Sequence, residues 1–427
     1  MPAFSFIHAA DFHLDSPFVG LGRLPVGQSR IVEELREATF RAFESVIELC
    51  LREQVDFLLV AGDVYDGADR SLKAQLRFRD GLRRLSEAGI RAFVVHGNHD
   101  PLDGWADAIK LPEGVHDFGP NLESVVFEKA GRAVARIHGI SYPTRKIGSR
   151  FGTGFQRVGN EPFQIGLFHC NVGGDTRHDP YAPRTESELA ESRMDYWALG
   201  HIHESIVVRS SDPFIGYPGN TQGRHINEAG PRGCFLVRVT AEGLLDGTPE
   251  FVATDCIRWL SGEVEITGME TLDGLLARIE DHTQELADRA EGRAVVARIT
   301  LRGRGALHGA LTRPNACREL LDELHTLGTQ RSPFLWVEKL VLRTRPDVDL
   351  DTRRGTQDFL GDLLRLIDGI RQSTTEIAGL KCVLTDLYEH GRVSKLKLLK
   401  SPDEDALRSL LDEAESRCAD LLLEGDD

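Results

Sequence analysis

The sequence predicts an α/β protein in three parts: a layered α/β domain, a smaller α+β domain and a helical C-terminal segment. Three observations support this prediction. Short apolar runs that end in polar residues recur up to about residue 240, helical patterns separate several of them, and the pattern changes near residue 245. We therefore expect domain boundaries that give the ranges 1–243, 244–348 and 349–427.

The first domain is predicted from five apolar runs, each typical of a buried strand. In chain order they read FSFIHAADFH, VDFLLVAGDVYD, RAFVVHGNHD, FQIGLFHCNVGG and DYWALGHIH. Between the first two runs, apolar residues recur at helical spacing, at Ile31, Leu35, Ala38, Ala42, Val46 and Leu49. A second helical pattern follows the next run and ends near Gly89. This β-α-β-α-β order predicts a layered domain with its site beyond the carboxyl ends of the strands.

The second domain is predicted from strands and helices that alternate up to Pro346. The strand patterns are RWLSGEVEITG, AVVARITLRG and FLWVEKLVLRTRP, with helical patterns around LDGLLARIEDHTQELADRA and NACRELLDELHTLG between them. No cluster of potential ligands stands out in this domain. We expect His282, His308 and His325 to be ordinary surface or core residues.

The C-terminal segment is predicted to be helical and polar. Its last helical pattern places apolar residues at heptad-like spacing, at Leu407, Leu410, Leu411 and Ala414. Such a face packs within the chain or docks a partner helix, and the sequence leaves both alternatives open.

The net charge of −16 and the seven cysteines narrow the classes of function. Nucleic-acid binders usually carry a basic surface, but a local patch or a bound metal can reverse the sign at one site, so DNA is not excluded. The cysteines are odd in number and form no CxxC pair, which argues against a disulfide framework or a zinc ribbon and for the cytoplasm. No apolar run reaches the roughly 18 to 20 residues that span a bilayer, so we expect no membrane role.

Seven nitrogen and oxygen donors follow the apolar runs and form a candidate metal site. They are Asp11, His13, Asp63, Asn98, His169, His201 and His203. Imidazoles at i and i+2 of an extended segment point to one side, which suits His201 and His203 for a shared site. Singly, each donor also has a structural explanation: Asp63 fits a helix N-cap or a turn, and His169 fits a buried, hydrogen-bonded histidine. Together, and without a thiolate, the seven suit two divalent ions that share one carboxylate.

The motifs DFH, GDVYD, GNHD, FHCN and GHIH, in this order, resemble the five-part signature of the calcineurin-like metallophosphoesterase family. The resemblance covers about the first 220 residues, and GYPGNTQ resembles the glycine-rich segment that follows the last motif in nucleases of the superfamily. The opening FIHAADFHLDSPF and the later RWLSGEVEI are similar to the YhaO-like branch of the SbcD-type DNA repair exonucleases. The fold that this resemblance implies is a layered metallophosphoesterase β-sandwich flanked by helices, followed by an α+β capping domain.

The resemblance implies a role for each donor. One ion would be held by Asp11, His13, Asp63 and His203, and the other by Asp63, Asn98, His169 and His201. Asp63 would bridge the two ions. A hydroxide between them would attack the phosphorus, and His99 would protonate or polarise the departing oxygen. The donor set admits Mn, Fe or Zn, and the resemblance favours two Mn²⁺ ions.

Two acidic residues near the motifs are candidates for supporting roles. Archaeal and eukaryotic recombination nucleases carry a histidine three residues after the bridging aspartate, where this sequence has Asp66. A carboxylate cannot make the same contact to phosphate, so we expect Asp66 to be a turn residue or an acceptor for a ligand imidazole. Asp100 is either a similar support or a turn residue. We expect His8, His96 and His138 to be structural.

We therefore expect a metal-dependent phosphodiesterase that acts on DNA, an exonuclease or endonuclease of the SbcD/YhaO type. By family architecture it would work with an SbcC-like ATPase of the structural-maintenance type, docked on the C-terminal helices, and a homodimer stays open. One alternative is a small-molecule phosphodiesterase or a phosphoprotein phosphatase on the same core. Another is a scaffold subunit that has lost catalysis, and the presence of all seven donors and His99 argues against it.

Overall fold

The computed structural model describes residues 1–18, 29–67, 71–103, 109–147, 151–173, 182–347, 349–389 and 402–423. The chain passes through two compact units. The first unit comprises 1–262, 279–299 and 321–340, and the second comprises 263–278, 300–320 and 341–427. No helix in these described ranges has the length and apolar character needed to cross a membrane. The three-part division into domains expected from the sequence remains a prediction.

Two six-stranded sheets form the centre of the first unit. Their strands are β1 (Phe4–Ala9), β2 (Phe57–Ala61), β3 (Arg91–Val95), β4 (Val115–Asp117), β5 (Glu123–Lys129), β6 (Arg132–Gly139), β7 (Phe163–His169), β8 (Tyr196–Gly200), β9 (Ile206–Arg209), β10 (Phe214–Tyr217), β11 (Gly233–Val239) and β12 (Glu250–Ala253). The first sheet has the order β12-β11-β1-β2-β3-β4, and the second has the order β5-β6-β7-β8-β10-β9. Strands β1 to β4 are parallel neighbours in the first sheet, as are β6, β7 and β8 in the second.

Helices α1 (Ser29–Glu53) and α2 (Leu72–Glu87) cover one face of the first sheet. Apolar side chains of these helices, such as Phe43 and Leu82, share a core with Ile7 of β1. The backbone leaves α2 through Gly89, whose φ of 78° lies in the left-handed region that glycine adopts easily. The β-α-β-α-β order predicted from the sequence is confirmed.

The opposite face of the first sheet packs on the second sheet, so the two form a β-sandwich. Side chains alternate along a strand, and Phe6 therefore points into the sandwich while Ile7 points to the helices. The Phe6 ring stacks on Phe57 of the same sheet at a centroid distance of 5.0 Å, and it meets the Tyr196 ring of the second sheet edge-on at 5.2 Å. The outer face of the second sheet packs against helix α3 (Glu186–Glu191) through Leu189.

Strands and helices alternate after the sandwich, as the sequence predicts. They are β13 (Ile257–Glu265), α4 (Leu272–Arg289), β14 (Ala294–Arg304), α5 (His308–Leu311), α6 (Ala316–Thr329) and β15 (Leu335–Arg345). The three strands form a sheet in the order β13-β14-β15. Within the first unit, the beginnings of these strands pack on α1, where Trp259, Val296 and Trp336 share a core with Leu35.

Each of the three histidines of this region makes a local contact. His282 Nδ1 lies 3.0 Å from a Glu285 carboxylate oxygen, and His308 Nδ1 lies 2.9 Å from the hydroxyl oxygen of Thr344. The ring of His325 stacks on Trp336. Among the described residues, none of the three belongs to a group of side chains that could share a metal ion.

The C-terminal segment is helical, with α7 (Leu350–Arg354), α8 (Phe359–Gln372), α9 (Thr374–Glu389) and α10 (Glu404–Leu423). Helices α8 and α10 pack together around Leu364 and Ala419. Of the heptad-like residues predicted in α10, Leu407 is buried and Leu411 is half-buried, whereas Leu410 and Ala414 are exposed. Packing within the chain therefore accounts for only part of the predicted face.

Candidate metal centre

The seven predicted donors lie where five strands of the two sheets end. Asp11 and His13 follow β1, Asp63 follows β2, Asn98 follows β3, His169 is the last residue of β7, and His201 and His203 follow β8. Strands β1 to β3 are parallel to one another, as are β7 and β8, so each sheet presents its donors at one edge. All seven are buried except His203, whose side chain is 20% exposed.

The backbone at the centre adopts an uncommon conformation. Asp11, His13, Asp63 and His201 have positive φ angles of 52°, 43°, 51° and 104°. Residues other than glycine rarely adopt such angles, and they concentrate at functional sites where the surroundings hold them. Here the loops after β1 and β2 hold each other, because the backbone N–H of Asp11 donates to Gly62 O and that of His13 donates to Asp63 O, both at 3.0 Å.

Two glycines allow the donors to approach closely. A Cβ at Gly97 would collide with the Asp63 carboxylate and the His169 ring, and a Cβ at Gly62 would collide with the same ring. Gly62 also has a φ of 92°. Neither position accepts a side chain without moving the donors.

The rings of His13 and His203 turn their Nε2 nitrogens toward each other. His203 Nδ1 lies 2.7 Å from a Glu228 carboxylate oxygen and donates to it, which leaves Nε2 with a lone pair. His13 Nδ1 lies 3.6 Å from the Asp66 carboxylate. The two Nε2 atoms are 3.1 Å apart. Two imidazole nitrogens that face each other beside Asp11 suit a shared cation.

A second convergence of acceptors surrounds His169. Its Nδ1 donates to the carbonyl oxygen of Ala61 at 2.9 Å, so Nε2 is the nitrogen available to a ligand. That Nε2 lies 3.0 Å from Asn98 Oδ1 and 3.4 Å from Asp63 Oδ2. The His201 ring lies beside it, with 5.3 Å between the ring centroids. An imidazole, an amide and a carboxylate around one point suit a divalent ion.

Among the described residues, three groups of side chains can share an ion: His13, Asp66 and His99 at the rim, and two groups among the seven predicted donors. One is Asp11, His13 and His203, and the other is Asp11, Asp63 and His169, with the ligand atoms of each group within 4.8 Å of one another. Asp11 also accepts the backbone N–H of His201, at 3.2 and 3.1 Å to its two oxygens. The geometry brings all seven predicted donors together, although the division of ligands between two ions remains a prediction.

The electrostatics of the centre favour bound cations. Burial raises the pKa of Asp11 to about 6. Burial also acts to raise the pKa of Asp63, but His169 and the other nearby imidazoles outweigh it and hold that pKa below its usual range. For His13, burial and then the charge of Arg224 lower the pKa to about 3, which keeps the ring neutral, as a metal ligand requires. Asp63 in turn raises the pKa of His169 to about 9 against the effect of burial. Two buried carboxylates that attract positive charge in this way make a site that cations stabilise.

The predicted proton donor His99 lies at the rim of the centre. Its side chain is 35% exposed, and its Nδ1 lies 3.0 Å from Asp66 Oδ1. The hydrogen bond to Asp66 raises the pKa of His99 against the effect of burial. The backbone N–H of His99 donates to Asp63 Oδ1 at 2.9 Å, which ties the rim to the buried donors.

Asp100 supports the loops that carry the donors. One carboxylate oxygen accepts the backbone N–H of Gly97 at 2.7 Å, and the other accepts that of Val64 at 2.9 Å. The second oxygen also lies 2.9 Å from His96 Nδ1. Asp100 is fully buried, so it links the loop after β2 to the loop after β3.

Sequence reasoning missed two residues that lie against the centre. Glu228 is buried and holds the ring of His203, and Arg224 is 9% exposed and lies 3.4 Å from Asp66. Neither follows an apolar run, so the pattern that located the donors does not reach them. The one available signal was their position just after GYPGNTQ, the segment that resembles the glycine-rich part of related nucleases.

Comparison with known proteins agrees with the geometry. Residues 4–205 match the model of the calcineurin-like phosphoesterase family, and residues 259–345 match the middle domain of metallophosphoesterase YhaO. The uncharacterized metallophosphoesterase YhaO of Bacillus subtilis (strain 168) is 39% identical over 366 residues, which are 85% of this chain and 87% of the relative.

More distant similarity extends to proteins of DNA metabolism. The SbcD subunit of nuclease SbcCD from B. subtilis (strain 168) is 26% identical over 259 residues, covering 52% of this chain and 63% of the relative. The DNA double-strand break repair protein Mre11 of Aeropyrum pernix is 27% identical over 229 residues, covering 50% of this chain and 52% of the relative. The chain therefore belongs to the calcineurin-like metallophosphoesterase family and carries the YhaO middle domain.

Proposed function

We propose that this chain is a two-metal phosphodiesterase that cleaves DNA. The observation that carries the proposal is the convergence of imidazole nitrogens with carboxylate and amide oxygens where five strands end. A centre that gathers cations in this way suits a negatively charged phosphodiester. The names of the two more distant relatives, one a nuclease component and the other a DNA repair protein, support DNA as the substrate.

The residues at the centre divide into those that hold ions and those that hold the ligands. One ion would be held by Asp11, His13, Asp63 and His203 and the other by Asp63, Asn98, His169 and His201, with Mn²⁺ as the proposed metal. When bound, two divalent ions supply positive charge to the phosphate oxygens and lower the pKa of water. The carbonyl oxygen of Ala61 and the carboxylate of Glu228 fix the rings of His169 and His203, so that each ring presents Nε2.

His99 is proposed to deliver a proton to the departing oxygen. The Asp66 carboxylate accepts a hydrogen bond from its Nδ1, which leaves Nε2 as the nitrogen that can transfer a proton to the substrate. The ring is partly exposed at the rim, whereas the donors beneath it are buried. A positioned imidazole contributes about 10²- to 10⁴-fold to reactions of this kind.

The net charge of −16 favours a second candidate, a phosphodiesterase for small molecules or a phosphoprotein phosphatase on the same centre. An acidic surface repels a polyanion such as DNA more strongly than it repels a small phosphoester. Substrate choice therefore has to be measured on both classes.

The test is Mn²⁺-dependent cleavage of end-labelled linear duplex and single-stranded DNA, with a cyclic nucleotide and a phosphoserine peptide as competing substrates. Wild type should degrade DNA, and both Asp63→Ala and His99→Ala should abolish or severely reduce the reaction. His308→Ala, a histidine hydrogen-bonded to Thr344 outside the centre, is the matched control and should keep wild-type activity. Intact DNA together with hydrolysis of the cyclic nucleotide or the phosphopeptide would replace the proposal by the second candidate.

We further propose that the C-terminal helices dock an SbcC-like ATPase and that the protein works in the cytoplasm. Residues 244–348 would form a capping domain that helps to admit DNA. Large apolar side chains are exposed on α8 and α10, namely Phe359 at 71%, Leu366 at 61% and Leu421 at 65%. The SbcD relative is by its name one component of a nuclease with more than one subunit. The free state of all seven cysteines suits a reducing compartment.

Docking is tested by co-purification of the full chain with the ATPase. Phe359→Ser together with Leu366→Ser should release the partner while the Mn²⁺-dependent activity on DNA stays unchanged. Unaltered co-purification of this variant would refute docking at this surface, and self-association of wild type without the ATPase would assign the surface to a homodimer.

A further inference from the structure

Arg224 connects two parts of the metal centre that are far apart in the sequence. One guanidinium nitrogen donates to the Ser16 hydroxyl at 2.8 Å and lies 3.4 Å from the Asp66 carboxylate. The other terminal nitrogen lies 3.5 Å from a carboxylate oxygen of Glu228. The backbone N–H of Arg224 donates to the second oxygen of Glu228 at 2.7 Å. One side chain thus contacts two carboxylates.

Each of these carboxylates holds an imidazole. Asp66 accepts from Nδ1 of His99 at 3.0 Å, and Glu228 accepts from Nδ1 of His203 at 2.7 Å. The contacts therefore run without a break from the proposed proton donor, through Asp66, Arg224 and Glu228, to a proposed metal ligand. Ser16 strengthens the first half, because its hydroxyl donates to Asp66 at 2.6 Å while it accepts from Arg224.

We propose that Arg224 is a positioning residue that holds the carboxylates of Asp66 and Glu228 and through them sets the orientation of the His99 and His203 rings. The inference rests on the proposed two-metal phosphodiesterase and adds a residue to it. It also gives Asp66 a role, since its carboxylate lies between the His99 imidazole and the Arg224 guanidinium.

The chemistry of arginine suits this role better than that of lysine. A guanidinium is planar and carries several donors in fixed directions, so it serves two carboxylates at once, whereas an ammonium is a single point of charge. The Arg224 side chain is 11% exposed and its terminal nitrogens are engaged, which argues against direct binding of substrate phosphate. Glu228 is only 4% exposed at its side chain, so loss of its cationic neighbour would leave a buried charge less well compensated.

The test compares Arg224→Met and Arg224→Lys with wild type on two substrates and in metal binding. Bis(p-nitrophenyl) phosphate releases a nitrophenolate that leaves without a proton, whereas a dinucleoside monophosphate releases an alkoxide that needs one. We expect Arg224→Met to lower kcat on the dinucleotide at least about 10-fold more than on the nitrophenyl ester. We also expect its Mn²⁺ affinity, measured by calorimetry, to fall by about 10- to 100-fold. Arg224→Lys should rescue neither property.

Two further variants separate the halves of the network. Ser16→Ala removes only the hydrogen bonds that link Arg224 to Asp66 through Ser16. It should change the ratio of kcat on the two substrates while Mn²⁺ affinity stays at the wild-type value. Glu228→Gln should weaken Mn²⁺ binding, and the double variant Glu228→Gln with Arg224→Met should weaken it no further than the stronger single change. Arg209→Met, at a partly exposed arginine paired with Glu186, is the matched control and should change nothing.

Unchanged Mn²⁺ affinity together with an equal loss on both substrates would overturn the proposal, because an arginine that supports only the fold lowers both rates alike. If Arg224→Met does not fold, Ser16→Ala and Glu228→Gln decide the matter, and wild-type behaviour of both overturns it. If wild type hydrolyses neither substrate, the proposed function fails, and the calorimetry of Arg224→Met and Glu228→Gln still decides whether this network positions His203.

Discussion

Buried His8 should make the stability of the first unit depend on pH. It lies in the β-sandwich, where Nε2–H donates to the carbonyl oxygen of Leu199 at 3.1 Å and Nδ1 accepts from the Tyr196 hydroxyl at 3.0 Å. Both nitrogens of the neutral ring are thus satisfied. Burial lowers the pKa of His8 from 6.5 to about 3, and the hydrogen bond to Leu199 offsets this only in part.

The direction of the pH effect follows from the protons that each state binds. Below pH 6.5 the unfolded chain protonates His8, whereas the folded protein binds that proton only near pH 3. The stability that neutral His8 contributes is therefore complete above pH 6.5 and is lost as the pH falls toward 3. Each pH unit in this window lowers the free energy of unfolding by about 1.4 kcal/mol, so the loss is about 3 kcal/mol by pH 4.5 and about 5 kcal/mol by pH 3.

The assay is urea unfolding in a chelating buffer between pH 7 and pH 4.5, followed by tryptophan fluorescence. His8→Gln is the comparison, because an amide can donate to Leu199 and accept from Tyr196 without titrating. The free energy of unfolding of wild type should fall by about 3 kcal/mol more than that of the variant over this range. Parallel pH profiles for the two proteins would show that His8 is not held neutral.

Three other predictions concern the centre and its support. Gly97→Ala should abolish tight Mn²⁺ binding in calorimetry, because the methyl group would meet Asp63 and His169, whereas Gly309→Ala, with nothing within 4 Å of its added Cβ, should bind normally. Asp100→Asn replaces by an amide NH₂ one of the two carboxylate oxygens that accept from Val64, Gly97 and His96, so it should lower the free energy of unfolding by about 2 to 4 kcal/mol. An unchanged urea midpoint would contradict this. Mn²⁺ at 100 times its dissociation constant should stabilise chelator-treated protein by about 2.7 kcal/mol, and Asp63→Ala should show no such rise in a thermal scan.

The positions that converge at the centre were predictable because their signals are local. An apolar run marks a strand, and a histidine or aspartate directly after it marks the strand end, so Asp11, Asp63 and His201 could be located without knowledge of the fold. Helical spacing likewise predicted α1 and α2. The fold class followed from this order of elements and from the family resemblance, and it is confirmed.

The supporting residues could not be predicted in the same way. Asp66 and Arg224 are separated by 158 residues, and nothing in the local pattern of either indicates the other. Glu228 ends a short 3₁₀ turn, Ile226–Glu228, in a segment without helical or strand periodicity. The turn between β5 and β6, by contrast, has a local sequence signal, because a glycine such as Gly131 favours a tight turn. Ala130 and Gly131 both have positive φ there.

The donors are spread along the chain from residue 11 to residue 203 and over both sheets of the sandwich. A growing chain that has produced only the first sheet's donors lacks His169, His201 and His203, so neither of the two proposed ion sites has all of its ligands. Long-range contacts of this kind form late in folding, because a large loop must close before they contribute. The proposed two-ion centre therefore assembles only when synthesis has passed His203 and the two sheets have met.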